Sequence, residues 1–300
     1  MSKLLNIRCD NCGSEYRVSS RGEMNCRFCG SKVYLSDSDF KGFLKTRDEM
    51  LQKDKYNNDA VNSDGDILGF YSSGSSIKNF VQKNGRVIDK YISAIYDRPG
   101  RTVYIGKDVV VIVFDSKDVA DIFISNLGKI RYPSADIKGL NKYIPHVYFA
   151  GELEDGTFAV FLDKAENIYP LEWFSEGLKP QTTAWIISRF ENIGCLLEFS
   201  EIDMQDLSIE DAFINPKTHE MFLLDNWHNI IPAGREKKYL KGMRELIKGI
   251  HCTSAPPKLY EEFLNSEPAS NAYEDFERWD NVIMNGFSGH NFHKFDLLDI

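Results

Sequence analysis

The sequence predicts an α+β chain: a small β module stapled by metal, then a β-rich lobe, then a helical lobe that carries one acidic hairpin. Three observations predict it. Two Cys-x-x-Cys pairs stand near the N-terminus. Short runs rich in Val, Ile, Tyr and Phe recur between 101 and 162. From 180 onward the apolar residues fall at helical spacing, broken only by a hairpin pattern between 212 and 224.

The N-terminal pairs are Cys9-Asp-Asn-Cys12 and Cys26-Arg-Phe-Cys29, each followed by glycine, at Gly13 and Gly30. A Cys-x-x-Cys turn curls its backbone amides toward the thiolates, and glycine allows the left-handed geometry that closes the curl. The 13 residues between the pairs leave room for one short hairpin through Tyr16–Val18. This spacing predicts a zinc ribbon over 1–36, with Cys9, Cys12, Cys26 and Cys29 as ligands of one structural Zn²⁺. Disulfides do not fit, because nothing in the sequence suggests export. Lys3, Arg8, Arg17, Arg21, Arg27 and Lys32 make this end more basic than the rest, which suits nucleic acid or a protein surface.

Residues 37–89 are expected to be a helical connector and linker. Phe40, Phe43, Leu44, Met50 and Leu51 recur near helical spacing; 56–66 is polar and turn-rich; Ile77–Ile95 again shows helical spacing, with Phe80, Val81, Val87, Ile88, Tyr91 and Ile92. From 90 to 164 the chain reads as strands, a helix and strands. Arg101–Ile105 and Val109–Phe114 flank the turn Gly106-Lys-Asp108, Ser116 opens a helix to about Asn126, and His146–Ala150 pairs with Thr157–Leu162. Residues 165–300 form the helical lobe. In 180–199, Ile186, Phe190, Ile193 and Leu197 mark one apolar face. Further helices are expected at 236–250, 257–264 and 272–284. Cys195 and Cys252 read as packing residues, and His290 and His293 as solvated tail residues.

The chemistry is concentrated at 203–228. Ala212-Phe-Ile214 and Met221-Phe-Leu-Leu224 are apolar runs joined by Asn215-Pro-Lys-Thr, a turn sequence because Pro fixes φ and Asn tolerates turn geometry. Such a hairpin brings Asp206, Asp211 and Asp225 together at its open end. Three carboxylates repel one another unless a cation sits among them, and Mg²⁺ prefers oxygen ligands of this kind.

These residues resemble the protein-kinase-like superfamily, including its small bacterial and phage-type members. Asp206-Leu-Ser-Ile-Glu-Asp211 is similar to that family's catalytic loop, in which an Asp is followed by four residues and an Asn. Asp225-Asn-Trp stands where the family has its metal-binding Asp. The resemblance implies a two-lobed protein-kinase-like fold preceded by the ribbon. It also implies that Asp206 orients or deprotonates an attacking hydroxyl, and that Asp211 and Asp225 hold Mg²⁺ against the phosphates of ATP. Met204 and Gln205 replace the His and Arg that usually precede the catalytic Asp, and Asp211 replaces the Asn.

The phosphate-holding parts implied by the family are missing. Val109–Phe114 contains no Lys, although Lys107 and Lys117 flank it. The following helix offers Asp118 and Asp121 but no Glu. Tyr96-Asp-Arg-Pro-Gly100 has one glycine where a glycine-rich loop should stand.

Composition narrows the partners. A net charge of −9 argues against broad binding to nucleic acid, since neutralising phosphates needs excess Lys and Arg. No apolar run approaches the roughly 20 residues that span a bilayer, so no membrane partner is expected and a cytoplasmic location is the default. Three functions stay open. One is a pseudokinase that serves as a binding or regulatory module toward a protein partner. Another is an active atypical Mg-ATP-dependent kinase using Asp206 and Asp225. The last is a nucleic-acid- or polymerase-binding protein acting through the ribbon.

Overall fold

The computed structural model describes residues 5–8, 15–18, 22–25, 31–35, 66, 68–71, 76–132, 143–175 and 177–289. The chain divides into two compact units, 1–60 and 61–300. In the first, β1 (Leu5–Arg8) pairs antiparallel with β2 (Glu15–Val18), and β3 (Gly22–Asn25) pairs antiparallel with β4 (Lys32–Leu35). The single hairpin expected through Tyr16–Val18 is corrected: that stretch is β2 and pairs back onto β1, and a second hairpin follows. Cys9, Cys12, Cys26 and Cys29 fall in sequence between the paired strands and lie outside the described residues, as do 36–65, His290 and His293.

In the second unit, β5 (Ser76–Val81), β6 (Val87–Arg98), β7 (Arg101–Gly106), β8 (Val109–Phe114), β9 (His146–Glu152) and β10 (Phe158–Asp163) form one antiparallel sheet. Its strand order is β5-β6-β7-β8-β10-β9. This corrects the helix expected over Ile77–Ile95, and the sheet begins at Ser76, inside the segment read as connector. The reason is that apolar residues stand on both faces of this hairpin: Ile77, Val87, Tyr91 and Ile95 are exposed while Phe80 and Ile92 are buried, so no clean alternation marks the strands.

The sheet curls until its two ends meet. Gln82, just past β5, bridges Leu153, just past β9; the Lys83 amide donates to the Glu152 carbonyl at 3.0 Å and the Glu154 amide to the Val81 carbonyl at 2.9 Å. Inside the curl lie Phe80, Ile92, Val109, Val111, Ala159 and Phe161. Val110, Ile112 and Phe114 face the other way, into the main core. Both faces of β8 are covered, which is why it reads as an unbroken apolar run. At Gly106 the curl brings strands so close that a Cβ would lie 2.3 Å from the Tyr91 carbonyl oxygen, so glycine is required there.

Helix α1 (Lys117–Leu127) follows β8 and packs Phe123 against Phe114 with ring centroids 5.6 Å apart. Strands, a helix, strands and then a connector at Asp163-Lys164 follow the order expected for the small lobe. The helical lobe completes this two-lobed α+β architecture. Helix α2 (Pro180–Phe199) starts with Pro at its first turn, where the missing N–H costs nothing, and buries Ile186, Phe190, Ile193 and Leu197 as its periodicity requires. Against it stand α3 (Lys238–Lys248) and α5 (Ala272–Gly286), with α4 (Lys258–Asn265) packed on both. Cys195 and Cys252 are half-buried rather than sealed in the core. Among the described residues no helix is long and apolar enough to cross a membrane.

Three further pieces set the site. The connector runs into β11 (Tyr169–Pro170), which pairs with β13 (Ala212–Asn215). β13 forms a hairpin with β14 (Glu220–Leu223). β12 (Ile202–Met204) pairs with β15 (Ile230–Pro232), so both ends of the acidic stretch are tied down.

Candidate active site

The hairpin forms as its turn chemistry dictates. Asn215 Oδ1 accepts the amides of Lys217 at 3.0 Å and Thr218 at 3.2 Å, closing the turn, and Ala212 pairs with Leu223 at the open end. One more pairing, Leu224 N–H to the Asp211 carbonyl at 3.0 Å, sets Asp211 and Asp225 side by side.

Each acid also holds its own loop. The Ser208 amide donates to Asp211 Oδ2 at 2.7 Å, so Asp211 caps the single turn that ends the 206–211 loop. The Asn226 amide donates to Asp225 Oδ1 at 2.6 Å. Asn226 adopts a left-handed backbone (φ 73°), and its Nδ2 donates to the Gln205 carbonyl at 2.8 Å, stitching the two acidic segments together. Trp227 is buried; its carbonyl accepts from Asn126 Nδ2 of α1 at 2.7 Å, which ties the helix of the sheet lobe to the residues after Asp225.

The cations beside these acids come from the β6–β7 turn. Arg98 Nη1 donates to Asp211 Oδ1 at 2.7 Å and lies 4.0 Å from Asp225 Oδ2; a second nitrogen of Arg98 pairs with Glu210. Arg101 Nε reaches both Asp225 oxygens at 3.0 and 3.2 Å, and its Nη2 lies 2.9 Å from Asp225 Oδ2 and 3.9 Å from Asp211 Oδ1. Two guanidinium groups therefore occupy the space between the acids. A Mg²⁺ ion on Asp211 and Asp225 would first require both to withdraw. Among the described residues no cluster of three or more His, Cys, Asp or Glu is arranged to hold a metal.

Asp206 is the third acid of the stretch. It is exposed, with a left-handed backbone (φ 56°), on the wall of a cavity of about 630 Å³. Asp97, Arg98, Arg101, Asn226 and His228 also line that cavity. Asp211 and Asp225 are thus clamped by two arginines, and Asp206 stands on the wall of the cavity that both arginines line.

Electrostatics follow the geometry. Burial pushes the Asp211 carboxyl up, with the charge of Asp225 adding to it, against the opposing pull of Arg98, the Ser208 amide and Arg101. His228 is driven down to about 4 by burial and by Arg101, which outweigh Asp225, so its imidazole is neutral at pH 7. Both guanidiniums are engaged by carboxylates, Arg98 by Glu210 as well as Asp211, and the cavity wall adds the acids Asp97 and Asp206, which disfavours a polyphosphate there.

No lysine takes the place that the sequence resemblance implies for one. β8 has none; Lys107 pairs with Glu166 at the surface at 3.1 Å, and Lys117 with Asp121 one turn along α1. Sequence reasoning also passed over Arg98 and Arg101. A signal was available: the two sit directly opposite each other across the hairpin, and like charges in that position are unfavourable unless an anion lies between them.

Among solved structures, the chain is similar to the bifunctional kinase-methyltransferase WbdD (TM-score 0.47, 12% identity, 68% of this chain and 50% of that one). It is also similar to vaccinia related kinase 3 (TM-score 0.44, 10% identity, 72% and 80%) and to the Cydia pomonella granulovirus kinase PK-1 (TM-score 0.42, 11% identity, 65% and 92%). The chain spans about half the length of the WbdD chains it matches. No protein-family model matches it, and no curated protein matches its sequence.

Proposed function

We propose that this kinase-like protein is a pseudokinase: a binding or regulatory module for a protein partner, with impaired or no phosphoryl transfer. One observation carries the reading. Arg98 and Arg101 are each bonded to a buried carboxylate, Asp211 and Asp225, the two acids that would have to hold the metal. Phosphoryl transfer depends on positioned cations and backbone amides around the phosphates. Here the cations are committed to the protein's own acids, the strand lysine is missing, and the turn that should wrap phosphates carries Pro99 beside Gly100.

The N-terminal unit is, in this proposal, a zinc ribbon with Cys9, Cys12, Cys26 and Cys29 as ligands. Zn²⁺ would supply the folding energy of a module too small to have a core of its own. Contact with nucleic acid or a polymerase through its basic residues belongs to the same proposal.

An active Mg-ATP-dependent kinase is the second reading, favoured by one feature: Asp206 stays exposed on the cavity wall, free to accept a hydroxyl proton. It requires the arginine clamp to open. Thermal unfolding with ATP, GTP or ADP, with and without Mg²⁺, separates the two. The pseudokinase reading expects no shift at millimolar nucleotide. A Mg²⁺-dependent stabilisation that disappears in Asp225→Ala would overturn it.

A further inference from the structure

At the connector between the lobes lies a cluster that the site does not use. Asp66 and Leu68 to Tyr71 fold into a closed turn of their own. The Gly69 amide donates to the Asp66 carbonyl at 3.1 Å, the Tyr71 amide to Asp66 Oδ2 at 2.8 Å, and Gly69 takes the left-handed backbone (φ 68°) that the turn needs. No strand pairs with these residues.

Their side chains nonetheless reach both lobes. Tyr71 is buried, stacks on Tyr169 (centroids 5.2 Å apart, planes 10° apart) and donates its hydroxyl to the Ile168 carbonyl in the connector. Its own carbonyl accepts from Ser93 of β6 at 3.4 Å. Tyr169 donates to Asp66 Oδ1 at 2.8 Å and accepts the Leu68 amide at 3.1 Å. Phe70 lies edge-on to Tyr169 and Trp173, and Trp173 Nε1 donates to Tyr96 of β6 at 2.9 Å.

Beneath Tyr71 sits Lys164. The residue is half-buried, but its Nζ turns inward, 4.0 Å from the centre of the Tyr71 ring. From there it donates to the carbonyls of Lys107 at 2.7 Å, Ile168 at 3.1 Å and Ala165 at 3.3 Å. Burial holds this amine well below the ordinary lysine range, against the opposing charges of Asp108, Asp66 and Glu166. A cation–π contact and three carbonyls replace the water it has lost.

We propose that Asp66 and Leu68 to Tyr71 are an aromatic latch. It clips the sheet lobe to the helical lobe at their connector, and it releases as one unit, ahead of global unfolding, to uncover the Lys164 amine. The latch is self-contained because its turn is closed by Asp66, and it is held by side chains rather than by a ladder. Segments of that kind open sub-globally at lower free energy than the core. The proposal concerns the connector alone and does not depend on whether the arginine clamp excludes nucleotide.

The test is acylation of the full chain by N-hydroxysuccinimidyl acetate, read at Lys164 by peptide mass spectrometry, with the exposed Lys83 and Lys258 as internal references. Lys164 is expected to react slowly in the native protein and at least about tenfold faster in Tyr71→Ala, with Tyr71→Phe between them. Native protection that persists in a folded Tyr71→Ala overturns the latch. If Tyr71→Ala fails to fold, the unmodified chain in urea decides. A latch predicts that Lys164 labelling rises well before the global transition and with a weaker urea dependence. Labelling that tracks global unfolding overturns it.

Discussion

Two buried clusters of acid and arginine can be compared in one molecule. In the helical lobe, Arg244 makes a two-toothed pair with Asp275 at 2.8 and 2.9 Å, lies over the Phe263 ring, and has Glu191 beside it. In the cleft, Arg98 and Arg101 clamp Asp211 and Asp225 against a cavity of about 630 Å³. The first cluster is balanced within itself and sealed among α2, α3, α4 and α5, with the Glu191 carboxyl raised to about 9 by burial and by Asp275, against the pull of Arg244. The second shares Arg98 with a further acid, Glu210, and has one open wall. A buried ion pair therefore says little about function, and the side on which it meets empty space says more.

The comparison can be broken by removing one partner from each. Asp275→Ala should have the larger effect, because it leaves the Arg244 guanidinium buried with no counter-charge and no route for water. A loss of about 3–5 kcal/mol is expected, seen as a lowered urea midpoint. Arg98→Ala with Arg101→Ala should cost less, about 1–3 kcal/mol, since cavity water can reach the freed carboxylates and Asp211 can hold a proton. A double variant as damaged as Asp275→Ala would show that the cleft cluster is as closed as the helical one.

Glu191→Gln sharpens the contrast with the smallest effect, under about 1 kcal/mol below about pH 4.5, where the carboxyl is protonated in both states; at neutral pH the variant should be the more stable protein. The Glu191 carboxyl rises from about 4.5 to about 9 in the folded protein, so folding retains a proton that the unfolded chain loses. Its contribution is present in full below about pH 4.5 and is lost as pH climbs through about 9. Urea midpoints measured across that range should fall less steeply in Glu191→Gln. Parallel slopes in the two proteins would place the proton elsewhere.

Legibility in the sequence follows the range of the forces. The β13–β14 hairpin, α2 and the β7–β8 pair were readable because turn residues and periodicity act within a few positions. Ile77–Ile95 misled, since exposed Ile77, Val87, Tyr91 and Ile95 add apolar residues to the solvent face and fill in the period of two that buried Phe80 and Ile92 would show. The arginine clamp joins residues 113 and 124 positions apart. Nothing local announces where a long side chain will find its counter-ion, although the facing arginines of the Pro99-Gly100 turn already required one.

The bridge between Gln82 and Leu153 bears on how the protein can be cut. A fragment starting at residue 90, where the β pattern first becomes obvious, loses β5 and the start of β6. It exposes a row of unpaired amides along β6 and empties the slot that Phe80 fills between Tyr104 and Phe161. An open, sticky sheet edge recruits other chains. Such a fragment would self-associate for reasons unrelated to its natural contacts, and an interaction screen that used it as bait would largely report that edge.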